Sequence, residues 1–140
     1  KEELFRIPLL GPIISRLGAF PVSRGNSDIQ SVKTAIRAIR DGENLLIFPE
    51  GTRSKNGNHP GDFKGGSFKC AMNARCPIVP VAMLNSYQAF DTNSIHPVTV
   101  QVHFLEPLYY EDYKDMKSTE IAKIVRARIV ERIEAAEKEM

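Results

Sequence analysis

Apolar residues recur at helical spacing in three stretches of the chain, with short continuous or alternating apolar runs between them. Leu9, Leu10, Ile13, Ile14 and Leu17 predict a short helix over about residues 8–18. Pro8 suits its first turn, where the missing N–H would be unpaired anyway, but Pro12 removes a donor and threatens a bend. This segment is expected to be buried; contact with lipid is its alternative fate. The second stretch is the clearest. Ser27 and Gln30 stand at capping-box spacing, and Asp28 adds a favourable first-turn charge. Ile29, Val32, Ile36 and Ile39 then form one stripe with Lys33, Arg37 and Arg40 off it. Gly42 supplies the left-handed residue that ends such a helix. The third, capped at Ser118, carries Ile121, Ile124, Val125, Ile129 and Ile133.

Between these stretches the period changes. Residues 19–22 predict a short strand leading to Arg24 and Gly25. Residues 45–48 are wholly apolar and bounded by turn-formers, the pattern of a strand buried on both faces of a parallel sheet. A glycine-rich loop, a helix over about 66–74 and a second apolar strand over 78–84 follow. Val98, Val100, Val102 and Phe104 alternate with Thr99, Gln101 and His103, which predicts a half-exposed strand nearer an edge. Strands alternating with helices indicate an α/β fold with a mixed, mainly parallel sheet flanked by helices. No long crossover separates the last strands, so part of the sheet should be antiparallel. No linker divides the 140 residues, and a single domain is expected.

Composition narrows the function classes. A charged fraction of 26% and a hydrophobic fraction of 42% are globular values, which excludes a disordered chain. The formal net charge of +2 gives no reason to expect nucleic acid. The charge is concentrated, however. Between Glu50 and Cys76, Arg53, Lys55, Lys64, Lys69 and Arg75 face only Glu50 and Asp62, so any anion site belongs there. Cys70 and Cys76 have neither metal-ligand spacing nor a nearby histidine, which favours structural thiols over a zinc site or disulfide. The longest greasy stretch, residues 7–14, is broken by Pro8, Gly11 and Pro12. It falls far short of the ~20 residues that a spanning helix needs.

The segment Phe48-Pro49-Glu50-Gly51-Thr52-Arg53-Ser54 follows the carboxyl end of a predicted buried strand, where open α/β sheets place ligand sites. Pro49 and Gly51 turn the chain and leave room near the backbone. Arg53 can hold a phosphate through two parallel hydrogen bonds, which lysine cannot do. Glu50 beside a phosphate would repel it unless paired, so an orienting role is expected, with a hydrogen bond to a substrate hydroxyl as a further use. A strand end carrying a surface ion pair is the alternative on physical grounds alone.

This segment resembles the third signature block of the 1-acylglycerol-3-phosphate acyltransferase family, also called lysophosphatidic acid acyltransferases. Gly18-Ala19-Phe20-Pro21-Val22-Ser23-Arg24 is similar to the second block, Phe63-Lys64-Gly65-Gly66 to the lysine turn that follows the third, and Pro77-Ile78-Val79-Pro80-Val81-Ala82 to the fourth. The resemblance spans about residues 5–85, with all four blocks in order. It implies acyl transfer from acyl-CoA or acyl carrier protein, as co-substrates, to the hydroxyl of a lysophospholipid, giving phosphatidic acid. It implies no cofactor and no metal. Phosphate or substrate contacts fall to Arg24, Arg53 and Lys64, with Glu50, Gly51 and Thr52 shaping the pocket.

One family element is absent from the 140 residues. The general base is a histidine in a His-x-x-x-x-Asp block. Five positions after His59, His96 and His103 stand Lys64, Gln101 and Leu108, so no residue here is assigned as catalytic. The chain begins at Lys1 inside an apolar pattern, so it is expected to be the C-terminal portion of a longer acyltransferase domain. It should be inactive alone. Its parent is expected at the cytoplasmic face of a membrane, attached through the region upstream. Glycerol-3-phosphate or another lysophospholipid as acceptor, and a non-catalytic phospholipid- or anion-binding module, are the open alternatives.

Overall fold

The computed structural model describes residues 2–20, 29–52, 54–88 and 96–139. These fall into two compact units, residues 1–45 and 46–140. The strand expected over 19–22 and the capping pair begun by Ser27 lie largely outside the described residues.

The first unit is helical: α1 (Glu2–Phe5), α2 (Leu10–Arg16) and α3 (Ile29–Arg40). Pro12 is tolerated because it falls within the first turn of α2. Burial of this segment was expected, but Leu9 and Leu17 are each 79% exposed. Helix α2 meets α1 through its small residue instead: a side chain at Gly11 would lie 2.4 Å from the Phe5 carbonyl oxygen. In helix α3 Ala35 is buried and Val32, Ile36 and Ile39 of the expected stripe are half-buried, but Ile29 is exposed. It closes as expected at Gly42, whose N–H donates to Ile39 while that of Glu43 reaches back to Ala38.

The second unit holds the core. A 3-10 turn (Gly65–Phe68) runs into α4 (Lys69–Ala74), which Arg75 ends in the left-handed conformation. Strands β1 (Val81–Leu84) and β2 (Gln101–Phe104) pair antiparallel, with Ala82 opposite His103 and Leu84 opposite Gln101. The pairing continues past Pro80 through reciprocal hydrogen bonds between Ile78 and Leu108. A short helix α5 (Tyr110–Tyr113) precedes the long α6 (Ser118–Glu139). Ile121, Val125, Ile129 and Ile133 of α6 pack with Phe68, Ala82, Leu84 and Leu108. Tyr113 lies fully buried among them, its hydroxyl hydrogen-bonded to the Cys76 carbonyl.

Three expectations are corrected here. The sheet among the described residues is two antiparallel strands, not a mainly parallel one. Residues 45–48 form no strand: no described segment pairs with them in a ladder, and Leu46 and Phe48 are exposed. In β2 the period of two is right but the faces are reversed. The register puts Gln101 and His103 on the side of the buried Ala82 and Leu84, toward α6, and leaves Val102 and Phe104 exposed. A smaller difference concerns the last helix. Ser118 is already helical, and Lys117 occupies the cap, its N–H donating to the Glu120 carboxylate at 2.7 Å.

Candidate functional site

The motif's turn is built from its own backbone. The Gly51 N–H donates to the Phe48 carbonyl at 3.1 Å, and Gly51 adopts φ +67°, a conformation that glycine enters without steric cost. The lysine turn is fastened to it, since the Lys64 N–H donates to the Pro49 carbonyl at 2.9 Å. The Lys64 side chain then folds back over the motif. Its Nζ lies 3.0 Å from where a Cβ on Gly51 would stand, so only a residue without a side chain lets the ammonium reach the backbone there. Gly65, next in sequence, packs as closely at its back, a Cβ there falling 3.1 Å from the Thr119 N–H nitrogen of α6.

Glu50 bonds to the loop and not to this cation. Its Oε2 accepts the Gly61 N–H at 2.7 Å, and the half-buried carboxylate forms no ion pair among the described residues. Among the described residues Lys64 takes part in no salt bridge and its side chain is exposed. Lys64 thus presents an exposed ammonium beside a glycine turn, with no ion-pair partner among the described residues. Of the predicted site residues, the structure brings together Glu50, Gly51 and Lys64. Thr52 follows on the exposed side of the turn. Arg24 and Arg53 lie outside the described residues.

The loop between the two motifs is tied to α6. Arg126 donates through Nε to the Gly61 carbonyl at 2.8 Å and through Nη2 to the Pro60 carbonyl at 3.0 Å. Glu137 accepts from Asn58 at 2.9 Å and lies 3.5 Å from His59 Nε2. The Asn58 side-chain oxygen in turn accepts the Asn85 N–H at 2.6 Å. Sequence reasoning missed these helix residues. No local pattern links Arg126 to a loop 65 positions earlier.

The remaining reactive groups are structural. His59 belongs to the loop tie, and His103 is held between Gln101 and Arg132. Burial pushes the Cys70 thiol up, with Cys76 adding to the shift, and burial raises Cys76 as well. Both thiols therefore stay protonated at neutral pH and neither is poised as a nucleophile. Among the described residues no group of three or more His, Cys, Asp or Glu could hold a metal ion. No described helix is long and apolar enough to cross a membrane.

The profile of the family described as "Acyltransferase" matches residues 1–84, the region that contains every block of the motif series. The chain belongs to the acyltransferase family. Its relatives include 1-acyl-sn-glycerol-3-phosphate acyltransferases from Limnanthes douglasii (32% identical, 99% of this chain, 50% of the relative) and Cocos nucifera (30%, 99% and 46%). That of Bacillus subtilis is 29% identical over all of this chain and 68% of its own. The crystal structure of the 1-acyl-sn-glycerophosphate (LPA) acyltransferase PlsC from Thermotoga maritima superposes with a TM-score of 0.74 at 25% identity, covering 96% of this chain and 55% of that one. This acyltransferase chain therefore spans about half the length of most of these relatives. Its C-terminal helix, α6, lies beyond the region matched by the family profile but within the superposed fold.

Proposed function

We propose that this chain supplies the acceptor-phosphate site of an enzyme that acylates 1-acylglycerol-3-phosphate to phosphatidic acid. One observation carries the reading: Lys64 is fastened by its backbone to the turn, its ammonium lies over Gly51, and Glu50 is occupied by Gly61. In this reading Lys64, Arg53 and Arg24 hold the acceptor's phosphate and fix its free hydroxyl against an acyl thioester from acyl-CoA or acyl carrier protein. A general base removes the hydroxyl proton as the oxygen attacks the thioester carbonyl. The new C–O bond forms, the C–S bond breaks, and the thiolate leaves to take up a proton. Fixing the phosphate turns that attack into an effectively intramolecular step.

In this reading the base is the histidine of a His-x-x-x-x-Asp block, and none of this chain's three histidines stands in such a block. The acceptor, in the same reading, is a membrane lipid and the reaction belongs at the cytoplasmic face of a bilayer. The test compares the 140-residue chain with a longer form containing a His-x-x-x-x-Asp block. Both are assayed with acyl-CoA and either lysophosphatidate or glycerol-3-phosphate. The chain alone gives no turnover, and the longer form acylates lysophosphatidate in preference. Turnover by the 140 residues that disappears in Arg53→Lys would mean that the base has been misplaced. Preference for glycerol-3-phosphate would reassign the acceptor.

A further inference from the structure

We infer that Arg126, on a helix outside the region matched by the family profile, is a positioning residue for the phosphate site, acting through one peptide unit to keep Glu50 away from Lys64. This rests on the phosphate-site reading above.

The carbonyl of Pro60 and the N–H of Gly61 belong to the same peptide bond. The structure contains no cis peptide among the described residues, so the two groups point in opposite directions. One end accepts from Arg126 Nη2 at 3.0 Å, and the other donates to Glu50 Oε2 at 2.7 Å. Arg126 Nε also holds the next carbonyl, that of Gly61, at 2.8 Å. The guanidinium fork thus grips two successive carbonyls and leaves the peptide between them no freedom to turn over. A flipped Pro60–Gly61 peptide would aim its carbonyl oxygen at the Glu50 carboxylate.

The charge on Arg126 has a second effect. A cation at the carbonyl end polarises the amide, which strengthens the N–H as a donor at the other end. Arg126 therefore compensates Glu50 through the backbone, without contacting it. This matters because Glu50 is the residue before Gly51, over which the Lys64 ammonium lies. A carboxylate released from Gly61, one residue from the turn that Lys64 overlies, would be free to neutralise that ammonium and compete with a phosphate for it. The buried ring of Pro60 and the tie from Asn58 to Glu137 hold the rest of the loop in place, so loss of Arg126 acts locally.

The test uses the 15N-labelled 140-residue chain with glycerol-3-phosphate as a soluble probe. In the wild type, the Gly61 amide resonance responds to its bond with the Glu50 carboxylate, and that response vanishes in Glu50→Gln. In Arg126→Met the response is lost, amide exchange at Gly61 accelerates, and probe affinity falls about tenfold. Adding Glu50→Gln to Arg126→Met restores affinity, because the competing carboxylate is gone; a merely structural role for Arg126 gives no such rescue. Arg126→Lys, which keeps the charge but not the fork, retains part of the Gly61 response, and it carries the test if Arg126→Met fails to fold. An unchanged Gly61 response in the Arg126 variants overturns the inference. So does an affinity loss that Glu50→Gln does not relieve. A wild-type chain that binds no probe refutes the phosphate-site reading, and the Gly61 response then decides the positioning role alone.

Discussion

Gly51→Ala is the sharpest single perturbation of the site, because two separate effects meet at one methyl group. The backbone there has φ +67°, and holding an L-residue in the left-handed region costs roughly 1–2 kcal/mol. For a unit of this size each kcal/mol shifts the Tm by about 4–8 °C, so a loss of roughly 4–16 °C is expected. The methyl would also lie 3.0 Å from Lys64 Nζ, 3.4 Å from Cε and 3.6 Å from Cδ. That end of the side chain is flexible and will move, so the second effect is small in stability and large in function: the ammonium leaves the turn. Loss of one charge-assisted contact predicts about tenfold weaker binding of glycerol-3-phosphate. Thermal denaturation and calorimetric titration separate the two effects, and a cycle with Lys64→Ala assigns the second. In the Lys64→Ala background, Gly51→Ala should still lower the Tm but leave the residual affinity unchanged. Gly42→Ala is the control for backbone strain alone, since φ is +88° there and nothing lies within 4 Å of the added methyl. If Gly51→Ala weakens binding equally with and without Lys64, the convergence of the two residues is not what binds the anion.

Other outcomes follow from the core. Tyr113→Phe leaves the Cys76 carbonyl without its buried donor and should cost about 1–3 kcal/mol in urea denaturation. Burial pushes the Tyr113 hydroxyl up to about 12, with Cys76 and Tyr110 adding to the shift. The folded chain therefore holds this proton after the unfolded chain has released it, so stability is intact below pH 10 and falls as the pH rises toward 12. Tyr113→Phe should flatten that alkaline loss, and an identical alkaline profile would count against the assignment. Leu84→Ala, at a fully buried position facing α6, should cost about 2–5 kcal/mol. A cost below 1 kcal/mol would show that the sheet–helix interface is not the core.

Local features of the fold were legible because local chemistry sets them. The closure of α3 at Gly42, the apolar stripe of α6 and the strand before Leu84 each follow from spacing within a few residues. What failed needed knowledge of neighbours. An apolar run such as residues 45–48 reads the same with or without a pairing strand, and only the pairing makes it a buried strand. The alternation of residues 98–104 gave the period of β2 but not its inward face. That face is set by the register opposite Ala82 and Leu84, so His103 turns toward Arg132 while Phe104 is left outside. The site divides in the same way. Glu50, Gly51, Thr52 and Lys64 were marked by short motifs, and Glu50 was expected to need a partner. That the partner is the Gly61 N–H, backed by Arg126, depends on a helix contacting a loop 65 residues away.

The central claim is that the Gly51 turn and Lys64 together receive a phosphate. It is tested most directly by titrating the 15N-labelled chain with glycerol-3-phosphate and following every amide. Saturable shifts centred on Gly51, Thr52 and Lys64 are expected, weakening with added salt and disappearing in Lys64→Met. Shifts centred elsewhere, for instance along the arginines of α6 at Arg128 and Arg132, or shifts at the turn that survive the loss of Lys64, would contradict it.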